Sequence, residues 1–572
     1  MRNWKKIVSI LLLVLMSTLL VACGGEAGGA TKPKKGSAQT IKFWGWGDNS
    51  EVIVFSRIVE EFNKKYEGVY FVDYVQRPSS NYNESLLTTL SGSKGPDVFY
   101  VNDNAFKQYA TLGFLADITE YVKNSTVLVE SDMFPNTMSR YRYNTKTTTS
   151  NDDDPQYAVP KDLAPTGLYY NVTQFKKAGV TIISLTEEEA LAQGYTIKGY
   201  DSATKTFNNK IAMSWSDCVE LSELLMSTGA SPYGFYSEWW FNYGWTVGGN
   251  CVEYIKTPGL NDFPIDDSYN AGRYRFTLND STKNYIVKDD FTGTMTINGN
   301  EYKAGEIISY VDKFSITNEQ KANMNELPSQ REAFTEFVRL SQKKGTLIDN
   351  VNGVYDSTSD FYGADSNGNI YGYGITPNPT TISADGKVGY FTSGKLGMLV
   401  TTMSAVKQIT TNMKDEWDVA PLMVYKEYSE DGKSVLVHGI EAAHSGSVAI
   451  AINSKSKVKD AAYLFAEYIA SPEGQTIQAD EGFAIPIQRT IANSEAYLNS
   501  RYNQGKNVQV FIDACDYETP GDWWLLRDKK WIDDWASLLN GDVRNGKLTL
   551  SGFYDARVFK ETQSLLDEYT KR

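Results

Sequence analysis

Apolar positions along the chain alternate between short continuous runs and helix-like spacing. Ile41–Trp44 (IKFW) is mostly apolar and typical of a buried strand, and Phe55, Ile58, Val59 and Phe62 then recur on one helix face. Further strand-like runs occur at 69–72 and 96–100, and further helix-like segments occur at 86–90 and 106–112. Strands that alternate with helices predict βαβ units in a parallel sheet, whose ligands bind beyond the carboxyl ends of the strands.

The same alternation returns near the C-terminus, after a middle region of different character. Residues 446–452 form a strand-like run and 459–470 an amphipathic helix. Between the two α/β regions, residues 260–325 show alternating apolar positions and a hairpin signal, Asn298-Gly299. We therefore expect a β-rich insertion at about 260–325 and a smaller one at about 181–210.

The first residues have the pattern of a secretory leader. Arg2, Lys5 and Lys6 precede the almost wholly apolar run Ile7–Val21, which has signal-peptide length and is short for a membrane span. The run ends in LVACG, which resembles the lipobox of bacterial lipoproteins. This pattern predicts a signal peptide at 1–22, lipidation of Cys23, and a flexible tether at 23–39 on the extracytoplasmic face of the cell membrane.

Composition narrows the classes of function. The formal net charge is −14, which argues against nucleic acid as a partner. The chain contains three cysteines after Cys23, namely Cys218, Cys251 and Cys515. Three cysteines can form one disulfide bond but not a network of several disulfides. Two histidines, without HExxH or CxxC, make a zinc site unexpected, while an oxygen-ligated calcium site stays open. The sequence has no GxSxG and no GxxxxGK[ST], which agrees with the expectation that the protein is neither an enzyme nor bound to a cofactor.

The segment EWWFNYGW, residues 238–245, concentrates aromatic residues on no single helix or strand face. Core packing is one explanation for it. The other is a carbohydrate site, because the C–H face of a pyranose stacks on an indole while its hydroxyls need carboxylate and amide partners.

The order of segments resembles that of extracellular solute-binding proteins of the maltose-binding-protein type. IKFWGWGDN and LSGSKGPDVFYVNDNAFKQYATLGFLADITEYV resemble the family's first lobe, and YAVPKDLAPTGLYYNVTQFKKAGV resembles its crossing into the second. FTSGKLGMLVTTMSA resembles the return crossing, and SGSVAIAINSKSKVKDAAYLFAEYIASPEGQ the stretch that follows it. The resemblance covers most of residues 40–500.

This resemblance implies an α/β fold of the type II periplasmic-binding-protein kind, with two lobes and a ligand cleft between them. The expected lobes are 40–157 plus 396–440, and 158–395 plus 446–572, with the β-rich insertion in the second. The implied partners are a carbohydrate ligand and the permease subunits of an ATP-driven importer, with the protein itself a monomer. Several aromatic residues in both lobes suggest an oligosaccharide.

We choose the candidate ligand-contacting residues from their positions beside the predicted strands and crossings and from the family resemblance. In the second lobe, Glu238, Trp239, Trp240 and Trp245 align with a sugar-contacting loop of the family, while Phe241 and Tyr243 are assigned to packing. The remaining candidates are Trp46 and Asp48 after the first strand, Asp103 with Asn102 and Asn104 as near-equal alternatives, Asp162 near the crossing, Trp523 with Trp524 as its alternative, and Tyr82 with a surface role as its alternative. Trp44, Trp531 and Trp535 are expected in the core.

Two other functions fit the same sequence. A surface-anchored glycoside hydrolase needs two carboxylates about 5–10 Å apart, which a chain with 70 acidic residues can supply. A tethered carbohydrate-binding protein without a transporter is the other alternative.

Overall fold

A computed structural model describes residues 38–571 apart from 48, 93, 261–262, 270–271, 351–368, 384–385 and 528. In chain order the strands are β1 Gln39–Gly45, β2 Tyr70–Gln76, β3 Val98–Asn102, β4 Ala158–Pro160, β5 Ala164–Asn171, β6 Thr181–Ile183, β7 Tyr200–Asp201, β8 Thr206–Asn208, β9 Tyr233–Tyr236, β10 Val252–Ile255, β11 Arg273–Phe276, β12 Asn284–Val287, β13 Met295–Ile297, β14 Asn300–Tyr302, β15 Met324–Leu327, β16 Leu347–Asn350, β17 Asn369–Tyr371, β18 Leu396–Thr402, β19 Trp417–Ala420, β20 Lys426–Tyr428, β21 Val435–His438, β22 Ala443–Gly446, β23 Val448–Ile452 and β24 Glu518–Thr519.

The first large sheet has the order β2-β1-β3-β23-β4. Strands β1, β2 and β3 are parallel, as the alternating pattern predicts, but β23 runs antiparallel to β3 and β4. The chain enters β23 at Val448, opposite Asn102, where β3 ends. Because the chain arrives at that end of the sheet, β23 can only run back along β3, and the sheet is mixed rather than parallel.

The second large sheet has the order β24-β22-β5-β18-β9, and β19 also pairs with β5. Strand β18 is antiparallel to β5 and parallel to β9, while β22 is antiparallel to β5 and parallel to β24. The chain passes from β4 of the first sheet to β5 of the second through residues 161–163, and from β22 to β23 through Ser447. The Ser447 hydroxyl donates to the Asp162 carbonyl at 3.0 Å, so the two crossings are bonded to each other.

These pairings reverse part of the lobe assignment expected from the sequence. Strand β18, expected in the first lobe, pairs with β5 in the second sheet. Strand β23, expected in the second lobe, lies between β3 and β4 in the first sheet. Hydrophobic pattern alone did not reveal this exchange, because both strands are continuous apolar runs that suit either sheet.

The α-helices cover the sheets and build the C-terminal region. They are Asn49–Lys65, Tyr82–Ser91, Phe106–Thr111, Thr119–Lys123, Val172–Lys177, Glu187–Ala192, Trp215–Ser227, Phe241–Trp245, Asn318–Lys321, Gln330–Ser341, Pro379–Ser383, Lys387–Thr392, Val406–Asn412, Lys459–Ala470, Pro472–Glu481, Arg489–Ala492, Glu495–Leu498, Gln509–Ala514, Lys530–Leu538, Leu550–Asp555 and Arg557–Thr570. Capping residues in the local sequence determine where many of these helices begin. For example, Ser214 and Asp217 form a reciprocal capping box at the start of Trp215–Ser227. Among the described helices, none combines the length and apolar character that a bilayer crossing requires.

Small sheets lie in the two regions where insertions are expected. The second region starts at Val252, before the expected boundary at about 260, and we call residues 252–327 the β-rich insertion. Strands β6, β8 and β7 make a three-stranded sheet within 181–208, and β10–β11, β12–β15 and β13–β14 are two-stranded pairs within 252–327. Asn298 and Gly299 form the two-residue turn between β13 and β14, with φ values of 51° and 88°. Positive φ at both positions is what the sequence Asn-Gly favours in a tight hairpin.

Two large hydrophobic clusters account for most of the buried apolar residues. One is centred on the first sheet and includes Phe43, Tyr100 and Phe465, and the other surrounds the second sheet and includes Trp215 and Trp535. The prediction that Trp531 and Trp535 are core residues is confirmed, since both are fully buried. The overall architecture is the two-lobed α/β fold expected from the sequence.

Candidate functional site

The two large sheets approach each other where β3 ends and the crossings begin. Asp103, directly after β3, is buried, and Arg140 lies beside it in the short 3₁₀ helix Ser139–Tyr141. Strands β22 and β24 bring Ser445 and Glu518 from the second sheet to the same place. Polar residues from both sheets therefore meet at one point.

Arg140 joins these residues through its guanidinium group. Nη2 forms an ion pair with Glu518, Nη1 lies 3.5 Å from Asp103 Oδ2, and Nη1 also donates to the Ser445 carbonyl at 2.8 Å. Burial raises the pKa of Asp103 to about 6, which the positive charge of Arg140 opposes. The arrangement holds a carboxylate from each sheet against one buried cation.

Several buried polar atoms around this point lack a hydrogen-bond partner among the described residues. They are Asn102 Oδ1, Asp103 Oδ2, His444 Nε2 and Trp523 Nε1. Asp103 Oδ2 has the Arg140 charge 3.5 Å away but accepts no hydrogen bond from it. An unpaired buried polar atom costs about 1–3 kcal/mol, so such atoms are rare unless water or a ligand pairs with them. These atoms belong to residues where the two sheets meet and are available to form hydrogen bonds with ligand hydroxyls.

Aromatic rings lie beside these polar atoms. The Trp523 ring lies 5.1 Å from Trp239, 5.3 Å from Phe241 and 5.3 Å from His444, measured between centroids. Trp239 is parallel to Phe241 at 5.7 Å, and Trp239, Trp523 and His444 all keep partial solvent access. We call Trp239, Phe241, His444 and Trp523 the aromatic cluster.

Burial and neighbouring positive charges lower the pKa of His444 to about 3. The ring is therefore neutral at physiological pH. Its Nε2 is one of the unpartnered atoms, and a neutral imidazole can exchange a hydrogen bond with a hydroxyl.

The residues of EWWFNYGW occupy different environments. Trp239 is partly exposed, whereas Trp240 is 4% and Trp245 is 8% exposed within the second hydrophobic cluster. Trp240 packs on Trp535 at 4.7 Å, and Trp245 stacks on Phe241 at 4.7 Å. Of the three tryptophans, only Trp239 thus presents a partly open ring. Phe241 and Tyr243 are buried, in agreement with their assignment to packing.

Glu238 is partly exposed and forms an ion pair with Lys387, in the helix Lys387–Thr392. Arg544 donates to the backbone carbonyls of Ser237 and Glu238 at 3.0 and 3.3 Å. This fixes the end of β9, from which Glu238 and Trp239 extend.

The short turn Asp522–Trp524 positions Trp523. Its ring folds back over Gly521, where a Cβ atom would lie 2.4 Å from Trp523 Cζ2, so only glycine fits there. The buried carboxylate of Asp522 accepts the thiol of Cys251 at 2.6 Å. Burial raises the pKa of Asp522 to about 6.

The candidates in the first lobe are more enclosed. Trp46 keeps partial access and packs on Tyr82 at 4.5 Å and, edge-on, on Tyr100 at 5.1 Å. Tyr82 is 3% exposed and donates to the carbonyls of Trp44 and Tyr100, so it is a core residue here and not a surface tyrosine. Trp44 is only partly buried, with the Arg77 guanidinium 3.9 Å from its ring.

Asp162 is buried in the crossing, where it pairs with Lys161 and accepts the Val448 amide at 3.2 Å. Asp48 and Cys23 lie outside the described residues. Whether the ten candidate side chains contact a ligand stays a prediction.

Sequence reasoning missed Arg140, His444 and Glu518. They come from segments far apart in the chain, and no local motif marks them. Trp524 is the alternative to Trp523 that GDWW offers, and it is also partly exposed.

Cys218, Cys251 and Cys515 are buried free thiols, so the described structure contains no disulfide among them. Within the described ranges, no group of three or more His, Cys, Asp or Glu side chains is placed to hold a metal ion.

The chain is similar in fold to solved structures that are distant from it in sequence. The chain matches an ABC substrate-binding protein of Listeria monocytogenes in complex with cycloalternan at 16% identity and a TM-score of 0.57, with 93% of this chain and 99% of that chain covered. It matches the GacH receptor of Streptomyces glaucescens, solved unliganded and with acarbose, at 16% identity and a TM-score of 0.54, covering 94% and 100%. An ABC transporter solute-binding protein of Thermotoga lettingae bound to α-D-tagatose matches at 15% identity and a TM-score of 0.54, covering 93% and 99%.

No curated protein sequence matches the chain. A family model for bacterial extracellular solute-binding proteins matches residues 49–330 and 333–476, which is most of the described chain. The family resemblance drawn from the sequence is confirmed: the chain belongs to the bacterial extracellular solute-binding protein family.

Proposed function

We propose that this protein is a lipid-anchored receptor that captures an oligosaccharide outside the cell and delivers it to an ATP-driven membrane importer. The observation that carries the proposal is the aromatic cluster, with its partly exposed Trp239 and Trp523 rings beside unpartnered polar atoms. Rings and polar atoms together match the two surfaces of a sugar.

The chemistry of such a site is binding without reaction. Each indole that covers a pyranose face removes apolar surface from water, worth on the order of 1–3 kcal/mol. Asp103 and Asn102 offer oxygen atoms to hydroxyl donors, and the neutral His444 offers a ring nitrogen. Cycloalternan and acarbose, bound by two proteins of this fold, are also carbohydrates.

The lobes we propose follow the sheets. The first is built on β1, β2, β3, β4 and β23, and the second on β5, β9, β18, β19, β22 and β24. Because residues 161–163 and Ser447 connect them, a ligand bound between the lobes can favour a closed arrangement by hinge motion. Lipidation of Cys23 would keep the receptor at the membrane, near the importer.

Calorimetry on the purified full chain tests the proposal, with malto-, cello-, xylo- and manno-oligosaccharides as probes. We expect stoichiometric binding to one series and, by chromatography of the recovered sugar, no shortened product. Trp523→Ala should weaken that binding, whereas Tyr121→Ala, which removes a ring stacked on Tyr463 in the first hydrophobic cluster, should not. Shortened product would indicate a glycoside hydrolase, and no binding to any series would contradict the carbohydrate assignment.

A further inference from the structure

The first strands of the β-rich insertion reach the aromatic cluster. Strand β10 begins directly after Cys251, and the Cys251 thiol donates to Asp522, the first residue of the turn that carries Trp523. The amide of Thr277 donates to the Cys251 carbonyl at 2.9 Å, which extends the β10–β11 ladder up to this contact. The insertion is therefore attached to the candidate site and is not confined to the outer surface.

Glu253 lies on the same face of this strand as Cys251. Side chains two residues apart in an extended strand point the same way, so Glu253 is directed to the side on which Asp522 lies. Asn250 donates to Glu253 Oε1 at 2.8 Å, which holds the carboxylate in place. Glu253 and Asn250 both keep partial solvent access.

The electrostatic surroundings of Glu253 agree with this placement. Burial raises the pKa of Glu253 to about 7, and the charge of Asp522 contributes in the same direction. Lys313 acts in the opposite direction, but it is occupied elsewhere. Its ammonium group donates to Thr282 O at 3.0 Å, Asn284 Oδ1 at 3.0 Å and Gln330 Oε1 at 3.2 Å.

Glu253 has two cations near it, namely Arg275, which lies opposite it in the β10–β11 register, and Lys313, whose charge acts on its pKa. Among the described residues it forms no ion pair, and its only hydrogen bond is the one from Asn250. The neighbouring Gln330 is 3% exposed, lies against Gly249, and has an Nε2 atom without a partner. The carboxylate therefore keeps acceptor positions that no described residue uses, and its partial solvent access leaves them open to a ligand hydroxyl.

We propose that Asn250 and Glu253 form a further subsite for one sugar unit, next to the aromatic cluster, so that the insertion lengthens the ligand site. The inference rests on the proposed function. An amide paired with a carboxylate is suited to neighbouring hydroxyls, because the carboxylate accepts from one hydroxyl and the amide can donate to or accept from another. The ligand class is a neutral oligosaccharide long enough to cover both the aromatic cluster and this subsite.

Calorimetry of the full chain against each oligosaccharide series, from disaccharide to heptasaccharide, tests the subsite. We expect wild-type affinity to rise with length and to level off once the added unit reaches Glu253. At a pH well above the raised pKa of Glu253, where the side chain is a carboxylate, Glu253→Gln should lose about ten- to a hundredfold in affinity for the long members, since a hydrogen bond to a charged group is removed. The shortest member that binds should be affected less than twofold. Asn250→Ala should show the same dependence on length, and it serves as the second variant if Glu253→Gln does not fold.

Glu301→Gln is the matched control, because Glu301 is an exposed glutamate of the same insertion, on β14. It should leave every affinity unchanged. Two outcomes would overturn the subsite but not the receptor function. In the first, wild type and Glu253→Gln have equal affinities for oligosaccharides of every length. In the second, Glu253→Gln loses the same affinity at every length. Failure of the wild-type protein to bind any series would contradict the proposed function and this inference with it.

Discussion

The indole rings of Trp523 and Trp524, adjacent in the chain, pack against different hydrophobic clusters. Trp523 contacts Trp239 and Phe241 in the cluster around the second sheet. Trp524 belongs to the cluster around the first sheet, donates to the Arg140 carbonyl at 2.8 Å, and lies under the Lys107 ammonium at 3.7 Å. One short turn therefore connects the two lobes next to the candidate site.

This division predicts different consequences for two neighbouring substitutions. Trp523→Ala should weaken sugar binding by roughly 1–3 kcal/mol, because one stacking surface is lost. Trp524→Ala should mainly lower the free energy of unfolding, because it removes the hydrogen bond to Arg140 and the cation–π contact with Lys107. Dissociation constants and urea midpoints, measured on both variants, separate the two effects. Equal losses of affinity with unchanged midpoints would show that both rings contact the ligand.

A second prediction separates the tryptophans of EWWFNYGW. Trp239→Ala should reduce affinity with little change in the melting temperature, because its ring is partly exposed in the aromatic cluster. Trp240→Ala should cost about 3–5 kcal/mol of stability through the cavity it leaves against Trp535. Thermal melting and calorimetry on each variant provide the comparison. A Trp239→Ala variant that melts early and binds normally would place Trp239 in the core and remove it from the site.

How much of this could be read from the sequence depends on the distance between the residues involved. Strands β1, β2 and β3 and the helix Lys459–Ala470 follow from local periodicity, and the Asn298-Gly299 turn from two residues. The placement of Trp240 and Trp245 in the core could not be derived, because it depends on packing against Trp535 and Phe241, which the local pattern does not determine. The Arg140–Glu518 pair joins residues far apart in the chain, and only the meeting of two sheets brings them together.

The Cys251–Asp522 hydrogen bond gives a third prediction. Cys251→Ala removes the thiol that donates to the buried Asp522 carboxylate, which should cost about 1–3 kcal/mol of stability and displace the Trp523 turn. Sugar affinity should therefore fall as well, and Cys251→Ser, which keeps a donor, should restore part of it. Cys218→Ala is the control, because Cys218 is equally buried in the same cluster but is not bonded to Asp522. Loss of affinity in the control as well would indicate a general weakening of the core.

Lipid attachment gives a fourth prediction, which concerns a residue outside the described structure. Cys23→Ser should abolish lipidation, because a hydroxyl does not replace the thiol in thioether formation. Cell fractionation and mass spectrometry of the N-terminal peptide should then show unanchored protein without a lipid adduct. A variant that remains lipidated and bound to the membrane would contradict the assignment of Cys23.

The dependence of stability on pH gives the last prediction, since the chain has only two histidines. Burial lowers the pKa of His444 from 6.5 to about 3 in the folded state. Between these two values the unfolded chain binds a proton that the folded protein does not, so His444 contributes a loss of stability as pH falls from about 6.5 toward 3. His444→Gln removes this contribution, and its urea midpoint should fall less than that of the wild type between pH 7 and pH 4.5. His438→Gln, which removes the histidine outside the aromatic cluster, is the control and should retain the wild-type decrease. If His444→Gln loses as much stability as the wild type over this interval, then the imidazole is not held neutral by the folded protein, and its proposed role as a neutral partner for a sugar hydroxyl is wrong.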